Sequence, residues 1–352
     1  MIKLSHHFSF TSDQSINAVK TCIACAIGLV IAKGFHIEMG QWILMSIMVV
    51  MASQVHLGGA RQKAYLRVLG TLAGAVVGGI ALYFFAHSQI MTSVILLIAC
   101  LMFAYIAGGE NGVPGTLGGA TVIMILMNDP PNPRVIYMRP LEIILGIMIA
   151  LVVSRFVFPI HATKRLIDNF VVSLEALKKL YEHIQDFQGS VDDAAQISPR
   201  AEEKLLNLFL AQRKLLDEAR SESQGKKLHL KLKNMLKAER RLYRSILLMN
   251  YALYSNPRST TIIKALASYQ NLNAEVIQGL QMLSSKMQQH DSNLVVCGDF
   301  EVLTALTNDI QKIAADHPFE VELNVEAFLV ATQFLLHELK ELTLAVNELS
   351  AA

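Results

Sequence analysis

Between Arg67 and Arg134 only Glu110 and Asp129 carry formal charge, in a stretch otherwise built of apolar, small and uncharged polar residues. An ionisable group in such surroundings is costly to keep charged, so it reads first as a site for binding an anion or relaying a proton. Arg67, Glu110, Arg139, Glu142 and Arg155 are the candidates. A guanidinium suits a carboxylate because its forked N–H groups match two oxygens, and a glutamate can exchange a proton. Arg139 and Glu142 are three residues apart and share a helix face, with Arg155 near the far end of the same helix. Interfacial anchoring is the competing reading, for Arg155 above all, with Arg139 and Glu142 then a surface ion pair.

Thr71 follows Arg67 by one helical turn and extends a polar edge. Gly70, Gly74 and Gly78 recur every four residues on the same side, so this helix offers a groove where another backbone can come close. Helix packing alone would explain the glycines, and Arg67 would then be an anchor at the inner surface. The run GGENGVPGTLGG holds six glycines, Pro114, Glu110 and Asn111. Only about fifteen residues follow before the chain turns polar, roughly 22 Å of helix, so this helix is short or begins inside a membrane. In the second case its first amides could face an anionic group, with Pro114 in the first turn where a missing N–H costs nothing. In the first case the run is an exposed loop and Glu110 a surface residue.

Other chemistry has no visible machinery. Cys22 and Cys25 are spaced C-x-x-C inside an apolar helix without metal-binding neighbours and read as packing residues; Cys100 and Cys297 are isolated. The eleven histidines show no metal spacing, and neither a P-loop nor a nucleophile elbow occurs. The chain is expected to be no enzyme, to hold no metal or cofactor, and to draw any transport energy from an ion gradient or a separate subunit.

These residues must be positioned by membrane helices. The 352 residues are 53% apolar and 17% charged, and ordinary soluble charge density returns only after Lys164. Apolar segments at 16–31, 39–55, 68–86, 90–107, 113–127 and 141–158 are read as six spans. Lys20 lies near the end of the first and is expected to reach toward the headgroups, with that span kept as an uncleaved anchor. Arg61, Lys63 and Arg67 form the richest basic loop, between spans two and three, which places it and both termini in the cytoplasm. The fold expected is all-α: a six-helix transmembrane bundle over 1–160, then a cytoplasmic antiparallel helical bundle over 161–352. Apolar stripes such as Phe328, Leu335, Leu342 and Val346 set its core, with chain breaks giving five or six helices. A net charge of +2 with interleaved signs excludes a nucleic-acid surface.

The segment RVLGTLAGAVVGG, with Arg67, Gly70, Thr71, Gly74 and Gly78 in order, resembles the R-x-x-G-T-x-x-G-x-x-x-G pattern of the fusaric acid resistance family. SRFVFP at the end of the sixth span, followed by a helical region containing LKAERRLYR, is similar to that family and to the aromatic acid exporters grouped with it. Aluminium-activated malate transporters show a related arrangement. The resemblance implies efflux of small organic anions, aromatic carboxylic acids in particular, across a bacterial inner membrane, at times with a periplasmic adaptor subunit. Larger members carry two membrane-plus-cytoplasmic repeats, so a chain of this size would supply the second half as a homodimer. On this reading Arg67 and Arg139 attract the carboxylate, apolar helix faces hold the ring, and Glu110 or Glu142 exchanges a proton. A passive organic-anion channel and a membrane-anchored scaffold with a partner-binding bundle are the alternatives.

Overall fold

The computed structural model describes residues 12–37, 39–52, 57–85, 88–109, 112–127, 134–186, 199–222, 225–254, 257–289, 300–316 and 324–350. Glu110 and Asn111 lie outside them. The described residues are helical and divide into two compact units, Met1–Ala162 and Thr163–Ala352.

The first unit holds α1 (Ser12–Gly34), α2 (Gln41–Met51), α3 (Leu57–Phe85), α4 (Gln89–Ala107), α5 (Val113–Leu126) and α6 (Arg134–Phe156). Four of them, α1, α3, α4 and α6, are long and apolar enough to cross a membrane, while α2 and α5 are apolar but shorter. At about 1.5 Å per residue, 11 residues of α2 rise roughly 16 Å and 14 residues of α5 roughly 21 Å. Of the second expected span, 39–55, the described residues are helical over Gln41–Met51, and 53–55 lie outside them.

Two expectations about loops are corrected. Arg61, Lys63 and Arg67 belong to α3, which begins a full ten residues before Arg67; Ala60 and Ala64 give this stretch a buried face, so it packs as a helix despite its charges. The proline-rich segment does not delay α6 until 141 either: α6 starts at Arg134 and carries Pro140 inside it, a position that forgoes one backbone hydrogen bond. Phe158, with φ 45°, ends that helix in the left-handed region just before Pro159.

The six helices share two apolar cores. One joins α1, α2, the first turns of α3 (Ala60, Ala64) and α6; the other joins the later turns of α3 (Ala75, Ala81, Leu82) to α4 and α5. Helix α3 belongs to both, and Arg67 and Thr71 lie on it between Ala64 and Ala75. The glycines fix how closely α5 sits. A Cβ added at Gly70 would lie 2.5 Å from the Pro114 carbonyl oxygen, and one at Gly74 would run into the Gly118 carbonyl. On the other side, Gly146 of α6 faces the backbone of Ile43, where a Cβ would come within 2.5 Å of its carbonyl oxygen. The pairs Gly70–Pro114, Gly74–Gly118 and Gly78–Ile125 run in step, so α3 and α5 are parallel. Asn17 meets Met51 while Gly28 meets Ile47, so α1 and α2 are antiparallel.

Among the described residues the second unit holds α7 (Ala162–Asp186, entered one residue before the unit begins), α8 (Pro199–Ala219), α9 (Gly225–Tyr254), α10 (Pro257–Ala265), α11 (Ala267–Gln289), α12 (Phe300–Asp316) and α13 (Asn324–Ser350). That is one helix more than expected, because the chain breaks at Leu266. A single apolar core runs through them, including Phe170, Leu177, Leu236, Ile246, Leu280, Phe328 and Leu342.

Candidate functional site

The site is built on α2. Its residues Trp42 and Ser46 are four apart, hence on one face and about 6 Å apart along the axis. The Arg139 guanidinium lies over the Trp42 ring, 3.8 Å from its centroid, and Arg67 Nη2 donates to Ser46 Oγ at 3.3 Å. Ser46 in turn donates to the Trp42 carbonyl at 2.7 Å, which fixes its hydroxyl as the acceptor for Arg67. Two cations from different helices therefore meet the same helix one turn apart.

Both are buried, Arg67 at 4% and Arg139 at 5% exposure. Nε and Nη1 of each have no hydrogen-bond partner among the described residues. A guanidinium carries five N–H donors that must be matched once water is excluded, and an uncompensated buried charge costs several kcal/mol. Stacking on Trp42 offsets part of this for Arg139, by about 2 kcal/mol when desolvated, but leaves its in-plane donors open. The arrangement can accept a planar anion, since a carboxylate takes two parallel N–H bonds from a guanidinium, and the same α2 and α6 carry Ile43, Ile47 and Ile143 of an apolar core.

The other expected residues distribute around this pair. Thr71 is buried one turn along α3 from Arg67. Glu142 is buried and shares a face of α6 with Arg139 and Gly146, at offsets of three and seven, which is the face seated on α2. Arg139 and Glu142 are thus not a surface pair. Arg155 is exposed in the last turn of α6 and does not join the cluster. The amino end of α5 reaches the level of Arg67, since Pro114 rests on Gly70, three residues on. Gly70, Gly74 and Gly78 face α5 and serve close packing.

Sequence reasoning missed Trp42 and Ser46, although Trp42 is the one tryptophan in the chain. Lys20, expected to reach toward the headgroups, is 2% exposed and is the ninth of the 23 residues of α1. Cys22 is exposed and so does not pack inside the chain, while Cys25 is half-buried. No group of three metal-ligating side chains occurs among the described residues.

Among the described residues the first unit is thus helical, with four apolar helices of membrane-crossing length and the cations Arg67 and Arg139 buried between helices. The chain belongs to the fusaric acid resistance protein family, whose model matches residues 15–352. It is 23% identical over 181 residues to the p-hydroxybenzoic acid efflux pump subunit AaeB of Escherichia coli O9:H4 (strain HS), covering 47% of this chain and 28% of that protein. The subunit of the same name from Shigella boydii serotype 4 (strain Sb227) matches to the same extent. The match therefore spans well under two thirds of these relatives' length. They are efflux pump subunits, not enzymes.

Proposed function

We propose that this chain exports organic anions, aromatic carboxylic acids foremost, across a bacterial inner membrane, driven by a proton gradient and acting as a homo-oligomer. One observation carries this reading: Arg67 and Arg139 are buried on a single face of α2 with Nε and Nη1 of both unmatched. An anion with a flat carboxylate supplies the missing acceptors, and an attached ring gains contact with the apolar surroundings. The relatives' name supports the ring, since p-hydroxybenzoic acid combines one aromatic ring with one carboxyl group.

In this cycle Arg67 and Arg139 hold the carboxylate, Thr71 supplies a hydroxyl beside them, Glu142 or Glu110 exchanges a proton, and Asn111 belongs to the route, Glu110 and Asn111 lying outside the described residues. Arg155 acts at the mouth of the route. All six helices α1–α6 cross the bilayer, α2 and α5 as short helices, and residues 161–352 lie in the cytoplasm. A periplasmic adaptor is the natural partner for a pump subunit. The homodimer places two membrane units about a two-fold axis.

The test is uptake of labelled 4-hydroxybenzoate into inverted vesicles with and without an imposed proton gradient. Accumulation that collapses when the gradient is discharged is the expected result. Equilibration indifferent to the gradient would make the chain a passive channel, and absence of flux with several aromatic acids would leave it a membrane-anchored scaffold.

A further inference from the structure

Trp42, the chain's one tryptophan, is the second residue of α2 and stands half-buried there. The guanidinium over it belongs to a residue only 5% exposed. Their separation fixes how the two groups face. A nitrogen pointed straight at the ring would stand about 1.3 Å nearer than the guanidinium carbon, hence about 2.5 Å from the centroid and well inside contact distance. With the carbon at 3.8 Å, the guanidinium must therefore lie flat on the indole.

A flat guanidinium sends its N–H groups sideways, in a layer parallel to the ring, and Nε and Nη1 of Arg139 are donors without a partner among the described residues. A carboxylate accepting from them lies in that same layer, because in-plane N–H bonds meet its in-plane lone pairs. Two turns along the same face of α6, Gly146 brings the helix backbone against Ile43, where an added Cβ would lie 2.5 Å from the carbonyl oxygen. Helices α2 and α6 thus close on each other along the face that carries the stack.

We infer that Trp42 is the specificity-determining residue of this site: by holding Arg139 flat it favours acids whose carboxylate is coplanar with their aromatic ring. This rests on the exporter reading. In a benzoate, conjugation keeps carboxylate and ring in one plane, so the whole acid fits the layer. In a phenylacetate a tetrahedral carbon turns the ring out of the carboxylate plane, and accepting the carboxylate drives the ring out of the layer. Trp42 acts through Arg139 and is a positioning residue, not a ligand to the anion. Leucine at 42 offers no flat electron-rich face, so the guanidinium is freed to turn, whereas phenylalanine keeps such a face.

The test uses the full chain in liposomes with 4-hydroxybenzoate and 4-hydroxyphenylacetate, acids that differ by one methylene. In the wild type, KM should be about tenfold lower for the flat acid, the worth of one charged hydrogen bond kept or lost. Trp42→Leu should bring the two values together, and Trp42→Phe should restore most of the difference. If the stack only offsets a buried charge, Trp42→Leu weakens both acids alike and leaves their ratio unchanged, which overturns the inference. Tryptophan emission of the wild type arises at position 42 alone, so a fluorescence titration reads binding without transport or substitution. Saturation at about tenfold lower Kd for the flat acid supports the inference, even without flux, in which case the exporter reading alone falls. Flux with equal Kd values, or flux with no change in emission, leaves the exporter reading and overturns the role of Trp42. Neither flux nor a change in emission with either acid overturns both.

Discussion

At the scale of single residues, the clearest chemistry in the second unit is a buried acid. Glu239 is fully buried and meets Ser173 and Gln212, from α9, α7 and α8 respectively. Ser173 Oγ donates to one oxygen of the Glu239 carboxyl group and Gln212 Nε2 donates to the other at 3.0 Å. Burial pushes the Glu239 carboxyl up to about 8, against partial opposition from those hydrogen bonds and from nearby Arg240. An acid with a raised folded value binds its proton more tightly folded than unfolded. Its contribution is therefore fully present below about pH 4.5, declines as the pH rises and levels off above about pH 8. The cost accumulated across that window is on the order of several kcal/mol. Glu239→Gln keeps the shape and removes the titration. Hydrogen exchange in α7 and α9 of the full chain, followed from pH 5 to 9, should show protection falling with pH in the wild type and nearly flat in the variant. Equal slopes would mean that Glu239 is ionised in the fold.

Arg67→Gln tests the other unit at the same scale. Hydrogen bonds to a charged group contribute about 1.5–3 kcal/mol, so kcat/KM for an aromatic acid should fall about 10- to 100-fold. Thermal stability of the empty protein should hold or rise, because the variant removes a buried charge with unmatched donors. A matching loss of folded protein would instead make Arg67 a packing residue. Arg67, Arg139 and Glu142 stand out in the sequence because charge is rare in apolar surroundings, and that rarity is a one-dimensional signal. Their partners carry no such mark. Serine and tryptophan are unremarkable in a membrane-length segment, and only the seating of α6 on α2 brings Trp42 beneath Arg139.

At the scale of elements, the four-residue glycine spacing announced a groove but not its occupant. Gly70 and Gly74 are filled by the backbone of α5 at Pro114 and Gly118, contacts between residues some forty positions apart that periodicity does not encode. The boundaries of α3 and α6 were misread for a related reason. Charged residues and a proline are local signals against a buried apolar helix, and tertiary packing of Ala60, Ala64 and Gly146 overrides them. Gly74→Leu should separate α3 from α5 and destabilise the unit by several kcal/mol, since backbone cannot yield as a side-chain end can. Gly34→Ala, where an added methyl meets nothing within 4 Å, should leave stability within about 0.5 kcal/mol. Thermal unfolding in detergent checks both, and comparable losses in the two variants would show that the glycines are not set apart by contact with α5.

At the scale of the whole molecule, one family model spans 15–352 in a single pass, while the matched relatives have less than a third of their length in the alignment. The proposed homodimer would bring two such halves together about a two-fold axis. Large apolar side chains on α4 support a surface meant to be covered by lipid or by a second copy: Ile90, Leu97, Ile98, Leu101 and Tyr105 are all well exposed on it. A mass measurement in nanodiscs should then give twice the chain mass. Dimerisation alone does not show that the two copies work together, so the decisive version mixes wild type with Arg67→Gln in known proportion. Independent protomers would lose transport in direct proportion to the inactive fraction. An obligate pair would lose it as the square of the active fraction, so that a half-and-half mixture keeps about a quarter of the activity rather than half. A strictly linear loss, with monomers carrying full flux, would remove the two-fold route and leave each chain its own pathway along α2.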